Sequence, residues 1–125
     1  MVRASCLCGG IRYDLDGPVA EVILCHCTQC RRANGGAFNV GVPVDRARVH
    51  FHRHAQLREY ESSPGKYRAF CGGCGAPVYS RVDALPHVLR LRGGLMADLP
   101  APASVAHIHT DTAWHWLPPP PDPDG

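Results

Sequence analysis

The sequence predicts a mostly β protein of short antiparallel strands, with one short helix and bound metal as part of its stability. Three observations support this fold class. Apolar residues recur with a period of two, Gly and Pro interrupt them at short intervals, and seven cysteines stand in three clusters. The first cluster is Cys6 and Cys8, the second is Cys25, Cys27 and Cys30, and the third is Cys71 and Cys74. The length of 125 residues fits one domain, which we place at residues 1–117. The proline-rich segment 118–125 is expected to form a flexible tail.

The first predicted strands precede the second cysteine cluster. Residues 2–6 lead into the first cluster, residues 11–16 alternate apolar and polar side chains, and residues 22–24 form a short apolar run. A helical pattern of about two turns covers residues 28–34, and Gly35 follows it as a stop signal. We therefore expect one short helix directly after the second cluster.

The remaining predicted strands follow this helix and are separated by turn residues. Short connections favour pairing between neighbouring antiparallel strands. The candidates are residues 38–44, 49–53, 57–61, 67–70, 78–82 and 88–91.

Composition favours metal ligation over disulfide bonds. Leu, Ile, Val and Phe make up 27 of 125 residues, a low count for a fold held by packing alone, so metal crosslinks would add stability. The first residues contain no apolar signal segment, so we expect a cytoplasmic protein whose thiols stay reduced. The odd number of cysteines also argues against a purely disulfide framework.

The charge and hydropathy patterns exclude two classes of partner. A net charge of +2 without a basic stripe is too weak to indicate nucleic-acid binding. No stretch approaches the ~20 apolar residues that cross a bilayer, so no membrane contact is expected. The expected partners are small molecules, and the chain is expected to be a monomer or a homodimer.

The first and third cysteine clusters are predicted to share one structural zinc through four thiolates. Zn–S bonds of ~2.3 Å bring two sulfurs to roughly 4 Å, which a two-residue spacer in a glycine turn allows. In an extended chain, residues two apart face the same side. A redox pair in the third cluster and two buried apolar cysteines in the first are the alternatives. The predicted ligands are Cys6, Cys8, Cys71 and Cys74.

The second cluster contains three cysteines, one short of a closed tetrahedral site. Cys25 and Cys27 share a face at a strand end, and Cys30 follows Cys27 by one helical turn. His26 lies between two ligands and is expected to point away, with a fourth-ligand role as the alternative. A zinc with three protein ligands keeps a position for water or substrate, so this site is the predicted catalytic centre.

Three thiolates and one zinc ion have a net charge of −1, which suits the site to an incoming soft thiol. Arg31 and Arg32 follow Cys30 directly and are predicted to contact a carboxylate of a thiol substrate. Charged side chains on a solvated helix face are the alternative interpretation of both.

These motifs together resemble the glutathione-dependent formaldehyde-activating enzyme (GFA) family. The likeness runs in order from about Cys6 to Trp114, which is most of the chain. The matching pieces are Cys6-x-Cys8-Gly9-Gly10 with Arg12-Tyr13, Cys25-His26-Cys27-x-x-Cys30-Arg31-Arg32 with Gly35-Gly36-Ala37-Phe38, Tyr60-x-Ser62-Ser63-Pro64-Gly65, and Arg68-x-Phe70-Cys71-x-x-Cys74-Gly75.

The resemblance implies a β-tent of folded antiparallel sheets, a structural zinc on the four paired cysteines, and a second zinc on the remaining three. It also implies an activity that joins glutathione to formaldehyde to give S-hydroxymethylglutathione, formally a carbon–sulfur lyase reaction. We therefore predict thiol–aldehyde adduct formation or cleavage. The alternatives are a zinc-stabilised protein-binding module and a thiol redox or metal sensor.

Histidines and aromatic residues are weaker candidates for a site. His50, His52 and His54 share one strand face, and His107 and His109 repeat the spacing; a solvated face is the preferred interpretation for both sets. Four aromatic residues could shape a pocket over the second zinc, although core packing is the preferred expectation. They are Phe38, Tyr60, Trp114 and Trp116.

Overall fold

Two β-sheets and one helix make up residues 1–117, the part of the chain that this computed structural model describes. The predicted tail 118–125 lies outside these residues. The helix, α1, is Thr28–Asn34. The strands are β1 Val2–Ser5, β2 Arg12–Leu15, β3 Glu21–Cys25, β4 Asn39–Asp45, β5 Val49–Arg53, β6 Leu57–Ser63, β7 Lys66–Cys71, β8 Pro77–Val82, β9 Val88–Arg92 and β10 Ser104–Ile108. Single 3-10 turns occupy Arg46–Arg48, Gly93–Leu95 and Thr110–Thr112.

The smaller sheet has three strands in the order β1-β2-β5, and the larger has seven in the order β10-β3-β4-β9-β8-β7-β6. Within residues 1–117 every strand pair is antiparallel except β10 with β3. The mostly β prediction is therefore confirmed, with one parallel pair that the sequence pattern did not indicate.

β10 is the one strand missing from the predicted set. Its residues are only partly buried at the edge of the larger sheet, where Val105 is 47% exposed, so the apolar pattern is weak. The strand forms because it pairs along β3, with Val105 opposite Val22 and Ile108 opposite Cys25. Pairing between segments so distant in sequence overrides local propensity.

The apolar core contains side chains from both sheets. Ile11 and Leu15 in the first part of the chain join Val42 and Leu91 of the larger sheet in one buried cluster. Because successive strand residues face opposite sides, Arg92, next to Leu91, lies on the other face of the larger sheet. That second face is where the polar side chains of β4, β7 and β9 meet the second cysteine cluster.

Helix α1 matches its predicted bounds. Cys27 is its N-cap, with extended backbone angles and a sulfur that accepts a hydrogen bond from the Cys30 N–H at 3.3 Å. Gly35 ends the helix in the left-handed conformation at φ 73°, where it donates to the Arg31 carbonyl. No helix within residues 1–117 is long and apolar enough to cross a bilayer.

Candidate metal centres

The first and third cysteine clusters meet in one group, which we call the four-cysteine group: Cys6, Cys8, Cys71 and Cys74. All four sulfurs lie within 4.8 Å of one another. The Cys8 sulfur is 3.7 Å from that of Cys6 and 3.7 Å from that of Cys71, 63 residues away in sequence. The structure therefore brings together the four residues that the spacing predicted as one set.

Backbone N–H groups point at these sulfurs. Ile11 donates to Cys6 at 3.2 Å, and Gly73 donates to Cys71 at 3.4 Å. N–H groups of Ala76 and Cys8 lower the pKa of the Cys74 thiol to about 6. Donors of this kind favour the thiolate, which is the form that binds metal.

The second cluster folds into the three-cysteine group: Cys25, Cys27 and Cys30. Cys25 ends β3, Cys27 caps α1, and Cys30 lies in the first turn of that helix. Their sulfurs also lie within 4.8 Å of one another, and those of Cys25 and Cys30 are 3.3 Å apart. Cys25 and Cys30 are buried, while Cys27 is half-buried.

The three thiols differ in how readily they ionise. Burial raises the pKa of Cys25 to about 12. Burial also opposes ionisation of Cys27, yet hydrogen bonds from Cys30 lower the pKa of the Cys27 thiol. Three sulfurs so close together resist sharing several negative charges unless a cation compensates them.

His26 takes part in packing and hydrogen bonding outside the three-cysteine group. Its Nε2 is 2.9 Å from Nδ1 of His107 on β10, and its ring packs against Phe38 at a centroid distance of 5.2 Å. The ring is buried, which together with the position of His107 lowers its pKa. This position agrees with the expectation that His26 points away from the metal site.

A family model described as "Glutathione-dependent formaldehyde-activating enzyme" matches residues 1–112. The chain belongs to this family. A comparison with curated proteins finds no match. The fold is similar to the crystal structure of a Rhodobacter sphaeroides protein, with a TM-score of 0.66 and 18% identity, over 84% of this chain and 98% of that one. At that identity the structural likeness supports the fold alone.

The donor atoms of both groups fit zinc. Tetrahedral coordination with Zn–S bonds of ~2.3 Å places sulfurs at ~3.8 Å, close to the 3.7 Å separations in the four-cysteine group. Thiolate ligands select zinc over magnesium or calcium, which prefer oxygen. Both groups are therefore placed to hold a metal ion, as the GFA resemblance implied.

Two adjoining cavities border the three-cysteine group. The Tyr60 cavity, of about 340 Å³, is lined by Tyr60 and Arg68 among others. The Lys66 cavity, of about 250 Å³, is lined by Lys66 and all three cysteines. Cys30 and the buried residues Asn39 and Arg92 line both cavities.

The basic residues beside these cavities are ones that sequence reasoning missed. Arg68 and Arg92 are buried, and Nη2 of Arg68 is 4.0 Å from the Cys30 sulfur. Burial, followed by repulsion from Arg68, lowers the pKa of Arg92 to about 10, so its guanidinium stays charged at neutral pH. Alternation with Leu89 and Leu91 was a signal that Arg90 and Arg92 share a face, but it does not distinguish a cavity from solvent.

The predicted substrate contacts Arg31 and Arg32 lie on the outer side of α1. Arg31 stacks over the Trp114 ring, 4.1 Å from its centroid, and donates to the Thr28 hydroxyl. Arg32 is exposed and lines a shallow groove that includes Tyr60 and Arg68. The structure thus places Arg32, more than Arg31, on a surface continuous with the Tyr60 cavity.

The expected core positions of the aromatic residues are partly wrong. Tyr60, Trp114 and Trp116 are 46%, 42% and 65% exposed, because their strand and turn lie at the edge of the fold. Tyr60 lines a cavity instead. On the first sheet, His50 and His52 are exposed and contact Asp16 and Asp14, which agrees with a solvated strand face.

Proposed function

We propose that the protein catalyses formation or cleavage of a thiol–aldehyde adduct, of the type that joins glutathione and formaldehyde into S-hydroxymethylglutathione. This is a carbon–sulfur lyase reaction. The main support is that, in a chain of the GFA family, three cysteine sulfurs converge next to two cavities of substrate size.

Each group is assigned one zinc ion. The four-cysteine group would hold a structural zinc, since four thiolates complete its coordination. The three-cysteine group would hold the second, and a zinc there supplies a Lewis acid that lowers the pKa of a substrate thiol. In residues 1–117 no histidine or carboxylate joins the three-cysteine group within ligand distance, which supports an exchangeable fourth position.

The reaction balances without an oxidant or a reductant. A C–S bond forms between the thiol sulfur and the aldehyde carbon, while the S–H bond and the C=O π bond break. The proton released from sulfur is taken up by solvent, and the new alkoxide oxygen gains one from solvent or a nearby side chain. The reverse sequence cleaves the adduct.

The chain's own residues would orient the reactants. Asn39 is buried and lines both cavities, so its amide N–H is available to a carbonyl oxygen on which negative charge develops. Arg68 lies beside Cys30 and adds positive charge at the same place. Arg31 and Arg32 remain proposed contacts for an outer carboxylate of a longer thiol such as glutathione.

The proposal is tested by exchange NMR with ¹³C-formaldehyde and glutathione, measuring adduct formation above the spontaneous rate. We expect the zinc-loaded protein to accelerate exchange, and Cys30→Ser to return it to the spontaneous rate while the far-ultraviolet spectrum stays native. Arg53→Gln, an exposed change on β5, is the matched control and should retain full activity. Unchanged turnover in Cys30→Ser would contradict the proposed site. A folded, zinc-loaded protein that does not accelerate adduct formation would favour the binding-module or sensor alternatives.

A further inference from the structure

Two guanidinium groups are buried beside the three-cysteine group without a carboxylate partner. Arg68 is 5% exposed and Arg92 is 7% exposed. Arg92 donates to the Arg90 carbonyl at 3.1 Å, and Arg68 contacts the Cys30 sulfur. Neither takes part in an ion pair with an acidic residue anywhere in residues 1–117. Buried charges are usually paired, because desolvation without an opposite charge destabilises the fold.

The side chains around them add further positive charge. Lys66, the chain's single lysine, is two residues from Arg68 on β7 and is half-buried. Arg68 lies opposite Ser80, and Ser80 lies opposite Arg90, so one row of three strands presents two guanidinium groups on the same face. A zinc bound by three thiolates has a net charge of −1 and compensates only one of these cations. The surplus favours a bound anion.

The position of the arginines limits the size of that anion. Arg92 and Cys30 both line the Tyr60 cavity and the Lys66 cavity, and Nη2 of Arg68 is 4.0 Å from the Cys30 sulfur. Guanidinium groups bind carboxylates through paired N–H donors. A carboxylate held by these arginines would lie within a few ångströms of the thiol sulfur or aldehyde carbon that reacts. This distance fits a short acid, in which one or two bonds separate the carboxylate from the carbon that carries the thiol or the aldehyde.

We propose that Arg68 and Arg92 form a carboxylate-binding subsite of the three-cysteine centre, so that one of the two substrates is a compact acid. This inference rests on the proposed thiol–aldehyde function. The acid is either a short mercapto acid or an oxo acid of the glyoxylate type. Both kinds of acid would present a carboxylate to the arginines, and separate arms of the experiment distinguish the mercapto acid from the oxo acid.

The experiment compares acids with neutral analogues of the same shape, using calorimetry on the zinc-loaded protein. The thiol arm uses 3-mercaptopropionate against 3-mercaptopropionamide, and the aldehyde arm uses glyoxylate against glycolaldehyde. In one arm we expect the acid to bind at least about tenfold more tightly, as expected for a charge-assisted hydrogen bond. That arm identifies which substrate is the acid.

Variants then test the two arginines. Arg68→Gln and Arg92→Gln should each reduce the acid preference to about twofold or less, and Arg92→Lys should restore part of it because the charge is kept. In kinetics, Arg92→Gln should raise KM for the acid more than it lowers kcat. Arg53→Gln removes one exposed charge from the smaller sheet and should leave the preference unchanged. If a glutamine variant does not fold, the lysine variant at the same position, Arg68→Lys or Arg92→Lys, replaces it. Its preference for the acid over the neutral analogue should lie between that of the unmodified protein and no preference.

The outcomes separate this subsite from the proposed reaction. Equal binding of acid and neutral analogue in both arms, or an acid preference that survives in the folded variants, would overturn the subsite even if adducts form. An acid preference that depends on both arginines, but with no accelerated adduct formation when the mercapto acid is supplied with formaldehyde or the oxo acid with glutathione, would support the subsite and refute the proposed function.

Discussion

The four-cysteine group and the three-cysteine group use the same ligand atom in different surroundings. Glycine turns lie against the first, although Cys8 itself is exposed: a Cβ added at Gly10 would lie 3.3 Å from the Cys8 sulfur, and one added at Gly73 would lie 3.5 Å from it. Side chains and cavities border the second. The first joins segments 63 residues apart, whereas the second spans six consecutive residues. Sulfur count and neighbouring cavities therefore separate the predicted structural site from the site proposed to admit a substrate.

The largest expected effect is the loss of a ligand from the four-cysteine group. Cys71 is fully buried, and Cys71→Ser would remove zinc coordination together with the crosslink between distant segments. We expect the free energy of unfolding to fall by about 5 kcal/mol or more, comparable with the whole stability of a small domain. Urea unfolding followed by circular dichroism measures this. Cys30→Ser should lower the free energy of unfolding far less. Equal losses of stability in the two variants would show that both groups are structural.

Stepwise chelation tests the same difference without mutation. A zinc held by three protein ligands beside cavities should leave before one held by four thiolates within backbone turns. We expect removal of the first equivalent to lower turnover at least ~100-fold while Tm falls by less than ~5 °C, and removal of the second to unfold the protein. Zinc content by mass spectrometry, measured with Tm at each step, gives the order. Unfolding at the first equivalent would reverse the assignment.

His26→Gln tests whether His26 is a structural residue beside the three-cysteine group. The change removes packing against Phe38 and weakens the contact with His107 that joins the cluster to β10. We expect a loss of about 1–2 kcal/mol in the free energy of unfolding, with two zinc ions retained per chain. A variant that retains one zinc would instead make His26 a ligand and favour the binding module.

The smallest losses of stability should come from changes at two glycines that lie near the two cysteine groups and have the left-handed backbone conformation. Gly75 has φ +79° and Gly35 has φ +73°, and a Cβ at either would meet no atom within 4 Å. Each Gly→Ala change should cost about 1 kcal/mol through backbone strain alone. Gly94→Ala is the control, since it has open space without a positive φ. Chemical unfolding of the three variants gives the values, and a neutral Gly75→Ala would show that the turn can relax.

Local spacing made much of the fold and both cysteine groups predictable. A two-residue spacer or one helical turn shows which sulfurs within a cluster can converge. The division of the seven cysteines into two, three and two then made the first and third clusters the predicted partners in a site of four, and the structure brings them together. Helix α1 was predictable because Gly35 ends it. The GFA resemblance joined these local motifs into one family assignment, which the match over residues 1–112 confirmed.

Tertiary structure decided what surrounds those sulfurs. Strand alternation showed that Arg90 and Arg92 share a face, but register between distant strands placed that face beside Cys30. Pairing along β3 likewise created β10, whose own pattern is weak. Within each cluster the ligands lie a few residues apart, which a sequence displays directly, whereas Cys6 and Cys8 meet Cys71 and Cys74 only after folding. The charge and shape of a cavity depend on segments that meet only after folding, and for this protein those contacts supplied the two buried arginines.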